Sequence, residues 1–238
     1  MKHTNIMNKL FFVLFLLMNI MLYQNFDYGT LFKIKVDPID HEVRESHAKE
    51  LLGKFYRGSF ASQASDIQSF QVAIYNTIYE RLPQEYKKRS AAIARTIVQE
   101  SERYNFDPVF LLAVIETESK FNPKIVGTFG EIGLMQIRPC TAEWFAAKSG
   151  IKWNGKRTLE NPVMNIKLGA AYLAYLSDKF YRNPANYIAA YNMGAANVRK
   201  LNSKRIMPKE YSLKVMSNYK ELYTEMVAMS LATHIAGN

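Results

Sequence analysis

An all-α fold is what this sequence predicts, and three observations carry the prediction. From Ser90 onward, apolar residues recur every three to four positions. Asp107-Pro108 and Asn161-Pro162 each place a capping side chain directly before a proline, the mark of a helix start. No sustained strand alternation, internal repeat or low-complexity tract interrupts the pattern. The chain has 238 residues, 48% hydrophobic and 22% charged. That excludes a disordered polymer and is enough for one good core with a small accessory region.

At the start, Lys2 and Lys9 precede an apolar run over residues 10–23, LFFVLFLLMNIMLY. A positive flank followed by an apolar block marks an export signal or a signal-anchor. As helix the run spans about 21 Å, short of the roughly 30 Å hydrocarbon core, which favours a signal. No A-x-A-like cleavage site follows, however, and extension back to Ile6 makes residues 6–23 a candidate anchor. The reading for residues 1–27 is therefore a signal peptide or a signal-anchor. Residues 28–85 are read as an N-terminal helical accessory region, and residues 86–238 as the main domain.

Within the accessory region, LFKIKV over residues 31–36 alternates as a short strand would. Val43, His47, Leu51, Leu52 and Phe55 then fall on one helical face. Residues 57–65, RGSFASQAS, read as a loop. A second helix has Asp66 near its cap and Ile67, Phe70, Ile74 and Ile78 on one face. His41, His47 and His234 have no partners at ligand spacing and read as solvated or packing histidines. In the main domain, Ile93, Ile97 and Tyr104 line one helix. Residues 109–120 form the next, and Asn122-Pro123 stops it. A glycine-bearing loop follows over residues 127–133. The helix opened by Asn161-Pro162 carries Ile166, Ala170, Leu173 and Leu176. Pro208 opens the last helix, with Tyr211, Val215, Leu222, Met226 and Met229 as its apolar stripe. The lone Cys140 permits no internal disulfide and reads as a small buried hydrophobe.

The net charge of +10 and pI near 9.5 favour a polyanionic partner. Nucleic acid lacks support, because no helix-turn-helix, zinc or aromatic-strand signature is present.

The most informative stretch is FLLAVIETESKFNP. Over residues 109–115 the helix is apolar on every side, so it is buried all round. Its end carries Glu116, at the angle of Val109 and Leu112, and Glu118, at the angle of Leu111 and Val114. Both carboxylates leave an apolar environment. Burial penalises the charged form and raises a carboxyl pKa, which is what a proton donor near neutral pH requires. Helical angle does not choose between the two.

Four segments in order resemble the transglycosylase SLT domain family, over about residues 90–220. They are Glu118-Ser119 with Phe121-Asn122-Pro123; Gly130-Glu131-Ile132-Gly133-Leu134-Met135-Gln136-Ile137 with Pro139 and Thr141-Ala142; Asn161-Pro162, Asn165-Ile166, Gly169 and Tyr172-Leu173; and Ala190-Tyr191-Asn192-Met193-Gly194. Each alone is weak, but four in the family's order are specific. The resemblance implies a lysozyme-like helical domain with a short loop or β-like segment near the site. It also implies that Glu118, in the ES pair, is the catalytic acid and base.

By the same resemblance, Gln136 and the backbone around Met135 line the subsite beside the scissile bond. Tyr191 hydrogen-bonds or packs near Glu118 and fixes its orientation, Asn192 holds its loop or contacts sugar, and Ser119 assists the glutamate or an N-acetyl group, with local helix-end hydrogen bonding as the alternative for the serine. Tyr211 matches the family's last motif, but Met207 stands where that motif carries an acid, and Glu210 is the nearest substitute. Glu131 replaces a commonly small residue and is the candidate second carboxylate for a hydrolase.

The implied function is cleavage of peptidoglycan glycan strands, with no metal and no cofactor, in an exported, periplasmic or inner-membrane-attached protein of the cell envelope. The basic clusters suit an acidic wall. Two alternatives stand beside it: a lysozyme-type muramidase on the same fold, and a peptidoglycan-binding or assembly protein serving envelope machinery.

Overall fold

A computed structural model describes residues 39–64, 70–206 and 209–236, with side chains to residue 230. The expected signal or anchor, the strand over residues 31–36, and the cap Asp66 with Ile67 lie outside these residues, as do Met207 and Pro208. The side chain of His234 does too. Among the described residues no helix is long and apolar enough to cross a membrane.

Helix α1, His41–Leu52, starts where the Asp40 carboxylate accepts the backbone N–H groups of Glu42 and Val43. Its buried face keeps part of the one expected and loses Phe55. Arg44 and His47 are buried, Val43, Leu51 and Leu52 only partly so, and Phe55 is 72% exposed. The physical reason is Gly53, at φ +53°, which ends the helix and starts a 3-10 turn that carries Phe55 off the face. The loop expected over residues 57–65 contains a one-turn helix, α2 (Phe60–Gln63), because the Ser59 hydroxyl accepts the Ser62 N–H. Helix α3, Phe70–Arg81, buries Phe70, Ile74 and Ile78 as expected.

A 3-10 segment, Gln84–Arg89, leads into α4 (Ser90–Arg103), and Asp107-Pro108 then opens α5 (Pro108–Ser119). Every residue of α5 from Pro108 to Ile115 is buried, as the all-round apolar sequence requires. The rest of the chain supplies α6 (Pro139–Ser149), α7 (Lys156–Glu160), α8 (Pro162–Lys179), α9 (Pro184–Met193), α10 (Ala195–Ser203) and α11 (Glu210–Ala236). Ile166, Ala170, Leu173 and Leu176 are buried on α8, and Val215, Leu222 and Met226 on α11. Helix α5 packs against α11 and α4, so it is the central element. The all-α class is confirmed. The expected β-like segment consists of isolated antiparallel bridges, Val126 to Ile132 and Ile132 to Ile137.

The start of α5 is held by buried polar groups. Asp107, 0% exposed, accepts from the Val109 N–H at 2.8 Å, the Tyr219 hydroxyl at 2.6 Å and the Tyr223 hydroxyl at 2.5 Å. Arg44 donates to the Tyr223 hydroxyl at 3.1 Å and to the Ala61 carbonyl at 2.9 Å. The Asp107 N–H donates to His47 Nδ1 at 2.9 Å, which leaves the ring proton on Nε2, facing the Tyr187 hydroxyl at 3.0 Å. Burial, helped by the Arg182 charge, drives the His47 pKa down to about 3, so the ring is neutral. His47 also packs on Phe106 and Phe110, as a packing histidine should, and His41 is exposed. Residues 37–238 form one compact unit, so the described part of the expected accessory region shares its core with α5. Cys140, expected to be buried, is exposed, because the buried face of α6 runs through Ala142, Phe145 and Ala146 and Cys140 lies on the opposite side of the helix.

Candidate active site

Helix α5 ends abruptly. Lys120 and Phe121 both take positive φ, 48° and 57°, a conformation that only a well-braced non-glycine residue keeps. Phe121 is fully buried and supplies the brace. The sharp exit leaves the two glutamates of the last turn in different surroundings. Glu116 faces Arg81, whose Nε lies 3.6 Å away, and Arg81 also pairs with Glu225 at 2.5 Å. Glu118 instead borders a cleft of about 480 Å³, lined also by Glu131, Gln136, Tyr172, Tyr191 and Asn192. Tertiary pairing thus separates two carboxylates that helical angle could not.

One wall of the cleft is the loop over residues 125–137, which is tied down from beneath. Asn165, buried on α8, accepts the Met135 N–H at 2.8 Å and donates to the carbonyls of Ile132 at 2.8 Å and Leu159 at 3.0 Å. The Gln136 side chain donates to the carbonyls of Ile125 and Gly133, while its backbone sits at φ 44°. Gly169 of α8 lets the loop approach closely, since a Cβ there would lie 2.4 Å from the Met135 sulfur and 2.8 Å from its Cβ. The Tyr191 hydroxyl donates to the Met135 carbonyl at 2.7 Å.

Several site expectations need correction. Tyr191, expected to hydrogen-bond or pack near Glu118, lines the same cleft but donates its hydroxyl to the Met135 carbonyl; the hydrogen bond to Glu118 Oε1 comes from Tyr211 of α11. Ser119, expected beside the sugar, is buried and points the other way. Its hydroxyl reaches the Ile115 carbonyl at 3.1 Å and the Leu134 carbonyl at 2.8 Å, tying α5 to the loop. Met135 is fully buried beneath the cleft, with its N–H and carbonyl both engaged. Gln136, Asn192 and Glu131 do line the cleft. Glu210 is exposed in the first turn of α11 and is not among the lining residues. Sequence reasoning missed the supporting role of Asn165, although an amide among the apolar residues Ile166 and Leu168 is itself a signal of a satisfied buried polar group. It also missed Arg138, whose Nε pairs with Glu131 Oε1 at 2.8 Å.

The electrostatics of the two cleft carboxylates diverge. Burial pushes the Glu118 pKa up to about 7; the Tyr211 hydrogen bond and the Lys214 charge pull it back, while the Glu131 charge adds to the rise. Burial would also raise Glu131, but the Arg138 bond and the Phe129 N–H, 3.0 Å from Oε2, outweigh it and hold that carboxyl below its ordinary value. The site therefore sets a proton-carrying carboxyl and a fixed carboxylate on one cleft, the separation that acid catalysis uses. A larger surface cavity, about 880 Å³, lies over residues 150–167; Lys152, Arg157 and Lys167 line it without a carboxylate, so it lacks an acid catalyst.

The family profile described as Transglycosylase SLT domain matches residues 95–213. The chain is 30% identical over 182 residues to the membrane-bound lytic murein transglycosylase C of Serratia proteamaculans, covering 73% of this chain and 49% of that protein. It is 34% identical over 137 residues to the protein of the same name in Edwardsiella ictaluri, covering 54% of this chain and 38% of that one. The chain thus spans about half or less of the length of these curated relatives. Among solved structures, the 70-kDa soluble lytic transglycosylase of Escherichia coli aligns at 22% identity and TM-score 0.47, over 80% of this chain and 38% of that one. An inactive mutant of the Pseudomonas aeruginosa lytic transglycosylase Slt aligns at 22% identity and TM-score 0.46, over 88% of this chain and 40% of that one.

Proposed function

The chain belongs to the transglycosylase SLT domain family, and from that premise we propose that it is a peptidoglycan lytic transglycosylase with Glu118 as its single acid and base. The observation that carries this reading is a carboxyl with a pKa near 7, shielded by α5 and α11 yet bordering an open cleft. Glu118 donates its proton to the oxygen joining N-acetylmuramic acid to N-acetylglucosamine, and the bond from that oxygen to C1 breaks. The resulting carboxylate takes the proton of the 6-hydroxyl on the same muramoyl residue. That oxygen closes on C1 and leaves a 1,6-anhydro end, with no water consumed. An internal nucleophile is already in place, so proximity replaces a second activating carboxylate. Tyr211 holds the glutamate in position, and Gln136 and Asn192 face the sugars.

The names of the relatives support a cell-envelope location, with residues 6–23 as the export signal or inner-membrane anchor and wall glycan as the partner. The basic surface, including Lys88, Arg89, Lys200 and Lys204, suits an acidic polymer. One observation favours a second reading: Glu131 is a fixed carboxylate on the same cleft, as a muramidase acting through water would use.

Mass spectrometry of fragments released from purified sacculi tests both. Anhydro ends are the expected product, and reducing ends would establish hydrolysis. Binding without release would mean a wall-binding protein, and would overturn the enzyme reading.

A further inference from the structure

Beyond the cleft, two helices repeat one arrangement. On α6, Thr141 lines the cleft, Trp144 follows at i+3 and Lys148 at i+7. On α8, Tyr172 lines the cleft, Tyr175 follows at i+3 and Lys179 at i+7. At about 100° per residue, each trio lies within about 60° of a single line along its helix. Each helix therefore carries a stripe that begins at the cleft and ends on an ammonium about 10 Å further on.

The stripes meet side by side. Trp144 lies edge-on to Tyr175, with ring centroids 5.3 Å apart, and Phe145 beneath them touches both and also Tyr172. Tyr172 in turn packs on Tyr191 at 5.3 Å, which joins the aromatic surface to the cleft wall. Phe145 is buried, but Trp144 is 44% exposed. Lys148 Nζ sits 3.8 Å above the Trp144 ring, and Lys179 donates to the Tyr175 hydroxyl at 2.5 Å. Around their helices Glu143 lies about 140° from Lys148 and Asp178 about 100° from Lys179, although Asp178, at i+3, flanks Tyr175.

A pure core cluster would not leave its tryptophan 44% exposed beside a second aromatic and two lysines. Rigid aromatic surface beside ammonium groups suits a chain that alternates apolar C–H faces with carboxylates. Resting on the transglycosylase reading for the identity of the polymer, we propose that the stripes Trp144–Lys148 and Tyr175–Lys179 extend the cleft into a binding track. The track takes further sugars of the strand on its aromatic rings and their stem carboxylates on its lysines.

The test measures binding of defined glycan oligomers of increasing length to full-length protein carrying Glu118→Gln, which prevents cutting. Adding Trp144→Ala is expected to weaken binding progressively with length, reaching about tenfold on the longest strands; Trp144→Phe should restore most of it. Lys148→Ala with Lys179→Ala is expected to weaken stem-bearing strands more than strands stripped of peptide. A loss equal at all lengths, or no loss, would overturn the track while leaving the enzyme reading intact. If the Glu118→Gln protein bound no oligomer and the unmodified protein released no fragment from sacculi, the transglycosylase reading itself would fall. A thermal melt of each variant separates lost binding from lost fold.

Discussion

The two ends of α5 carry the same chemistry and put it to different uses. At the start, Asp107 accepts from two tyrosines of α11; at the end, Glu118 accepts from a third tyrosine of the same helix. Burial raises both carboxyls. Asp107 is sealed: it is 0% exposed, its acceptor sites are filled, and Arg44 stands behind Tyr223. Glu118 has one tyrosine and an open side. A carboxyl with every partner in place is a fastener, whereas the same group with one side left open is a reagent. The cleft, more than the residue type, separates the two roles.

The comparison is broken most severely at Glu118. Replacing it by Gln is expected to lower turnover on sacculi about a thousandfold, some 4 kcal/mol, with the melting curve at pH 5 retained. At the other end, Asp107→Ala should cost about 3 kcal/mol in urea unfolding, because it removes the shared acceptor of two buried tyrosine hydroxyls and the Val109 N–H. Turnover per folded molecule should fall far less than for Glu118→Gln. If that variant melted normally, the sealed network would not be the fastener described.

A pH series sharpens the contrast. Glu118 has a folded pKa of about 7 against an ordinary 4.5, so its contribution to stability is complete below about 4.5 and is lost as pH climbs through about 7. The loss is at most about 3 kcal/mol. His47 runs the opposite way: its folded value of about 3 lies below 6.5, so its contribution is present above 6.5 and is lost as pH falls toward 3. Glu118→Gln should therefore flatten the alkaline side of a stability curve and leave the acidic side sloping. A curve unchanged between pH 5 and 8 would show that Glu118 is not shielded. The smallest effect expected is that of Tyr211→Phe. Losing this hydrogen bond raises Glu118 further, so the alkaline limb of kcat/KM, where the acid form disappears, should move up by less than about one pH unit.

Much of this was legible in the sequence where local chemistry decides. Asp107-Pro108 and Asn161-Pro162 open α5 and α8 as read, and the apolar run before Glu116 and Glu118 is buried as read. Choices that depend on distant partners were not legible. Arg81 claims Glu116 from another helix, and the Tyr191 hydroxyl donates its hydrogen bond to a carbonyl that only the folded loop presents. The burial of Arg44 and the hydrogen bonding of His47 depend on Tyr223 and Tyr187, which stand 179 and 140 positions away. Cys140 was misjudged because composition says nothing about which side of a helix meets solvent.

The grip of α11 on both ends of α5 also sets the order in which the protein can be made. Helix α5 precedes the tyrosines that hold its ends by 93 to 116 positions, so those donors arrive only when residues 211–223 have been made. Until then a strongly apolar segment lacks its cover and Asp107 lacks two of its donors. Folding that waits on such distant pairings is slow, so the rate-limiting event is the arrival of α11 on a helix that has long been waiting for it.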